Sequence, residues 1–171
     1  MDTSGRFKIN LTALPSDGAT FNWQLDDTFF DALDEQEIQH GNLDVTLRVN
    51  RKSGAFELHF QVKGDVSIPC NRCLELMTQP IDTEAAITVK LGEQYDDDGE
   101  VITVLETEPE VDVAWNLYEI IALDIPIYHV HPDGQCSEEV NQLFAQEQDE
   151  DNKPNDSRWD ALKALLDNDK R

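Results

Sequence analysis

The strongest pattern along the chain is an alternation of period two. Leu43, Val45, Leu47 and Val49 alternate with Asp44, Thr46, Arg48 and Asn50. After Arg51-Lys52-Ser53-Gly54 the pattern resumes with Phe56, Leu58, Phe60 and Val62. Successive side chains of a strand point to opposite faces, so this predicts a hairpin with one face on a core and the other in water. Val66, Ile68 and Cys70 keep the parity of Val62. Pro69 has no N–H to donate, so the strand is expected to end or reach an edge there. A further extended stretch places Ala85, Ile87, Val89 and Leu91 on one face and Glu84, Thr88 and Lys90 on the other. Two strands are therefore joined by a turn carrying Cys70-Asn71-Arg72-Cys73. Consecutive strands with short connections argue for an antiparallel meander.

The flanks are weaker. Phe7, Ile9 and Leu11 read as a first strand, residues 14–18 as a turn, and Phe21, Trp23 and Leu25 as a second short strand. Residues 26–39, with Phe29, Phe30, Leu33 and Ile38, read as a short helix or ordered loop. Val101, Ile102, Val104 and Leu105 form a short strand inside an acidic stretch. Asp112 opens a helix in which Val113, Leu117, Ile120 and Ile121 recur at helical spacing. It must stop before Pro126, because the residue ahead of a proline avoids the α region. An extended arm and turn over residues 125–136 follows, then a short helix over 137–145. The expected fold class is α+β: a mostly antiparallel, curved sheet or open barrel with one main packed helix, about residues 112–123, and a C-terminal helix. The expected organisation is a single domain over residues 1–146, an acidic linker over 147–156, and a C-terminal amphipathic helix over 157–171. In that last helix Ser157 and Asp160 form a capping box, and Trp159, Leu162 and Leu166 form the apolar face.

Charge changes the reading of function. The chain of 171 residues carries 36 acids against 13 bases, a formal net charge of -23. A nucleic-acid binder displaces counterions with a basic surface. This chain as a whole repels nucleic acid and anionic lipid and attracts basic proteins. Residues 93–112 hold nine acids and no base. Asp96-Asp97-Asp98-Gly99 resembles part of a calcium loop, but Leu105 stands where the bidentate Glu belongs, so a solvated loop is expected. No apolar run is long enough to span a bilayer, and the N-terminus has no apolar signal region. A cytoplasmic residence follows as the expectation. In a reducing compartment, three cysteines are thiols or metal ligands rather than disulfides.

Cys70 and Cys73 offer two thiolates from one turn, Cys136 a third, and His131 or His129 a fourth donor. Three Cys and one His make a closed tetrahedral zinc set. The alternative is two small, half-buried cysteines on a hairpin with Cys136 unrelated. Redox chemistry fits poorly, because a reactive Cys-x-x-Cys opens a helix and here a strand pattern follows. His40 and His59 read as solvated side chains. No phosphate loop, nucleophile elbow or His-Glu-x-x-His motif is present, so nothing asserts an enzyme. Arg48, Arg51 and Arg72, gathered by the sheet, would make a small basic patch for a partner or RNA, with Trp159 as a docking anchor.

The order of features also resembles a known family. Strands lead to Cys70-Asn71-Arg72-Cys73-Leu74, an acidic insert follows, then the helix and Pro126 segment, then His131 and Cys136. The chain closes on Arg158-Trp159-Asp160-Ala161-Leu162-Lys163-Ala164-Leu165. From about Leu43 onward this resembles the YceD-like family, named for large ribosomal RNA subunit accumulation. The resemblance implies a cytoplasmic, non-enzymatic factor in synthesis, processing or stability of the large-subunit rRNA. Ribosomal proteins or rRNA-processing factors of the large subunit would be its partners, with rRNA contact indirect. It also implies metal binding, with Cys70, Cys73, Cys136 and His131 as zinc ligands, and nucleic-acid binding, with Arg72 as a contact. A zinc module touching nucleic acid directly is the alternative. Some relatives carry a second cysteine pair downstream, where this chain has Cys136 alone.

Overall fold

The computed structural model describes residues 5–33, 37–99 and 101–143. Its strands are β1 Lys8–Asn10, β2 Ala19–Leu25, β3 His40–Lys52, β4 Ala55–Pro69, β5 Leu76–Gly92, β6 Asp96–Asp97, β7 Val101–Leu105 and β8 Glu110–Asp112. Helix α1 is Asp27–Leu33 and helix α2 is Ala114–Asp124. Residues 138–143 are helical as well. Two compact units divide the chain, Met1–Val130 and His131–Arg171. The expected linker and C-terminal helix, with Trp159, lie outside the described residues.

The body of the first unit is a six-stranded sheet in the order β2-β3-β4-β5-β7-β6. It is an α+β arrangement with an open, mostly antiparallel sheet and no closed barrel among the described residues, so the expected fold class holds. The alternation does what the physics of a half-buried strand requires. Leu43, Val45, Leu47 and Val49 on β3 and Phe56, Leu58, Phe60 and Val62 on β4 are all buried, while Asp44, Arg48, His59 and Lys63 are exposed. Ser53 and Gly54 both have positive φ, 52° and 82°. That is the mirror-image two-residue turn that matches the twist of a hairpin and aligns Lys52 with Ala55.

Phe29 and Phe30 of α1 reach the core, and Gly41 lies directly beneath the Phe30 ring, so close that a methyl there would sit 2.3 Å from it. Asp26 caps α1, accepting hydrogen bonds from the Thr28 hydroxyl and from the Thr28 N–H. The Thr28 hydroxyl bond, first among the causes, holds the Asp26 carboxyl below the usual aspartate range. Its folded pKa is depressed, so its contribution is present above the ordinary aspartate pKa of about 3.9 and is lost as pH falls through the lower folded value. Asp26→Asn is expected to flatten that part of the stability profile, which melting curves across acid pH would read.

Helix α2 packs against β5 with Leu117, Ile120 and Ile121 buried. Asp112 is not its first residue, as expected from sequence, but the last of β8. Its carboxylate accepts the Ala114 N–H at 3.0 Å, so it serves the helix end from outside. The helix ends at Asp124, ahead of Pro126. The acidic stretch is more ordered than a solvated loop: β6 and β8 both lie in it, and β7 pairs in parallel with β5. The calcium-like carboxylates bind backbone instead, Asp97 accepting from Gly99 N–H at 3.0 Å and Asp98 from Val101 N–H at 2.7 Å.

Candidate metal centre

Strand β4 stops at Pro69 and β5 starts at Leu76, still paired with it. The connection is closed by its own backbone. Cys70 N–H donates to the Glu75 carbonyl and Leu74 N–H to the Cys70 carbonyl, each at 2.9 Å. Arg72 N–H donates to Cys70 Sγ at 3.4 Å. Leu74 has φ 62° although 77% exposed, so its side chain bears a left-handed backbone with little packing in return. Leu74→Gly is expected to stabilise the chain by about 0.5–1 kcal/mol, roughly 2 °C in Tm. A lower Tm would mean the exposed side chain makes contacts that matter.

Asn71 ties this turn to the segment after α2. Its N–H donates to the His129 carbonyl at 2.9 Å, and its side-chain oxygen accepts the His129 N–H at 2.7 Å. The His129 ring is engaged at both nitrogens, with Nδ1 2.8 Å from the Pro126 carbonyl and Nε2 3.0 Å from the Pro69 carbonyl. Of the two histidines considered as the fourth donor, His129 is thus a brace and His131 is the candidate. In the second unit, residues 131–136 form their own turn, with Gln135 N–H donating to the Pro132 carbonyl at 3.0 Å and Gly134 at φ 80°. The Asn141 side-chain amide donates to the Cys136 carbonyl at 2.7 Å and to the Gly134 carbonyl at 3.3 Å. Cys136 Sγ lies 3.9 Å from His131 Nδ1.

Cys70, Cys73, His131 and Cys136 each offer one ligand atom, and the four atoms lie within 4.8 Å of one another. Cys70 and Cys136 are buried and the other two half-buried. No disulfide joins any of the three cysteines. Sulfur and nitrogen donors on a tetrahedral zinc, at about 2.3 and 2.0 Å from the ion, stand roughly 3.5–3.8 Å apart. The cluster is within about 1 Å of that spacing. Three soft thiolates and an imidazole suit zinc rather than magnesium or calcium, which take oxygen donors. The structure therefore has a Cys/His cluster that could hold a metal ion.

The arginines are not gathered. Arg72 is half-buried in the turn beyond Pro69. Arg48 and Arg51 lie toward the opposite end of β4, paired with His59 and Phe56. The intervening strand length, from Phe56 to Pro69, is on the order of 40 Å. Three positions apart, Arg48 and Arg51 also face opposite sides of β3, and the Arg51 guanidinium lies over the Phe56 ring at 4.9 Å. Sequence reading missed Asn71 as a brace. A contact 58 residues away in the chain leaves no local signal.

A family model described as Large ribosomal RNA subunit accumulation protein YceD matches residues 58–166. The chain belongs to the YceD family. The matched region starts in β4 and takes in all four cluster residues, while Arg48 and Arg51 precede it. The YceD family name ties the chain to accumulation of the large ribosomal subunit RNA. No curated protein and no solved structure matches. Among the described residues, no helix is long and apolar enough to cross a membrane.

Proposed function

We propose that this chain is a non-enzymatic, cytoplasmic factor in the synthesis, processing or stability of large-subunit rRNA, acting through basic protein partners. The observation that carries the reading is the YceD match over residues 58–166, which includes the cysteine turn and its surroundings. A net charge of -23 favours ribosomal proteins or processing factors over naked RNA as the direct contact, because opposite charge steers encounter and like charge opposes it. Zinc held by Cys70, Cys73, His131 and Cys136 acts structurally in this reading. Four protein donors fill a tetrahedral ion and leave no position for water or substrate. Direct RNA contact through Arg48, Arg51 and Arg72 is disfavoured by their separation along β4.

Depleting the protein in its native host tests this. The ratio of large- to small-subunit rRNA is expected to fall and to recover with the wild-type chain but not with Cys70→Ser. An unchanged ratio on depletion would remove the functional reading.

A further inference from the structure

A cleft of about 520 Å³ lies where the six-stranded sheet gives way to the β1–β8 ribbon. Its floor is apolar, with Ile102 and Val104 of β7 and Val111 of β8. Its wall is formed by α2, which contributes Trp115 and Asn116, and Tyr95 stands on the rim. Trp115 is 48% exposed and Tyr95 66%. Large aromatics left in water beside an apolar floor mark a surface suited to binding rather than one suited only to solvent.

The polar lining has one sign. Asp97, Glu108, Glu110 and Asp112 face a single cation, Lys8. Among the described residues none of these five side chains is in an ion pair. Asn116 supplies an independent observation. It is the buried polar side chain of the described core, 8% exposed, and it lines the cleft. Its side-chain amide makes no hydrogen bond among the described residues, and since no wholly buried side-chain nitrogen or oxygen there lacks a partner, the amide keeps access to the cleft it lines. A polar amide that opens on the cleft is available to an outside hydrogen-bond partner.

We propose that this cleft binds arginine side chains of an extended basic segment on a partner protein. The inference rests on the basic-partner reading above and gives it a location. A guanidinium offers planar donors for carboxylates and for the Asn116 oxygen, stacks on Trp115 or Tyr95, and lays its methylene stem on the apolar floor. A lysine ammonium matches the charge but not the stacking or the forked donors. Arginine is therefore selected over lysine.

The test uses the full chain and two dye-labelled peptides, one alternating arginine with glycine and one alternating lysine with glycine, followed by anisotropy at low salt. The arginine peptide is expected to bind more tightly. Trp115→Ala, and separately the pair Asp97→Asn and Glu110→Gln, are each expected to weaken it about tenfold. The pair Asp44→Asn and Asp65→Asn, which removes the same charge from exposed positions of β3 and β4, is expected to change it less than about twofold. The isosteric carboxylate pair serves even where Trp115→Ala does not fold. Equal losses in the two carboxylate pairs, or equal binding of the lysine peptide, would overturn the cleft and leave diffuse attraction to basic proteins in place. Failure of the basic-partner reading is separate, since it would show as no large-subunit protein captured by the wild-type chain.

Discussion

Cys136→Ser is expected to purify without zinc and to melt roughly 10 °C below the wild-type chain, a loss of about 3 kcal/mol or more. Where a metal site is assembled only by folding, metal-binding free energy is folding free energy, and a serine hydroxyl is a poor substitute for thiolate. Cys136 is 6% exposed, so the new hydroxyl also carries a burial cost of about 1–3 kcal/mol that has nothing to do with metal. A chelator separates the two. It is expected to lower the melting point of the wild-type chain toward that of the variant and to leave the variant unchanged. A wild-type chain indifferent to chelation would assign the whole effect to packing and would remove zinc from the account.

The second large effect lies in the sheet. Gly64→Ala is expected to destabilise the chain by about 3 kcal/mol. Gly64 pairs with Leu43 in mid-strand, and its φ of 147° lies where side chains are rarely found. A methyl built there would stand 2.2 Å from the Asn42 carbonyl oxygen and 2.9 Å from Leu43 Cα. Both obstacles are backbone of the neighbouring strand, so no rotamer change relieves them, and β3 must move away from β4. Denaturant melts of Gly64→Ala beside Gly54→Ala provide the comparison. Gly54 also has positive φ but open space around it, so its loss is the conformational term without the clash. Equal losses at the two positions would show that the sheet accommodates the methyl.

Where local chemistry decided the structure, the chain could be read. Alternation from Leu43 to Val62 announced the hairpin, because each inward residue is apolar and each slip in register would expose the whole set. Pro69 and the two cysteines announced the turn. The parallel pairing of β5 with β7 was not legible. Its strands are joined by a short acidic segment, whereas parallel neighbours usually need a longer crossover. Composition pointed to solvent, and the pairing is fixed by the buried side chains of Ile102 and Val104. The choice between His129 and His131 was equally hidden. Two residues apart and alike in sequence, they are separated by the carbonyls of Pro69 and Pro126, which engage one ring and leave the other by Cys136. Asn116 reads as one polar position in an apolar helix stripe, and only the cleft beside it gives it a meaning.

The proposed role in the large subunit runs through basic protein partners. The most direct measurement is affinity capture of the tagged chain from its native cells at low salt, with and without ribonuclease, reading ribosomal proteins and rRNA together. Large-subunit proteins retained after ribonuclease, and released steeply by added salt, are the predicted result. Large-subunit material that disappears with ribonuclease would place RNA, not protein, at the contact and contradict the claim.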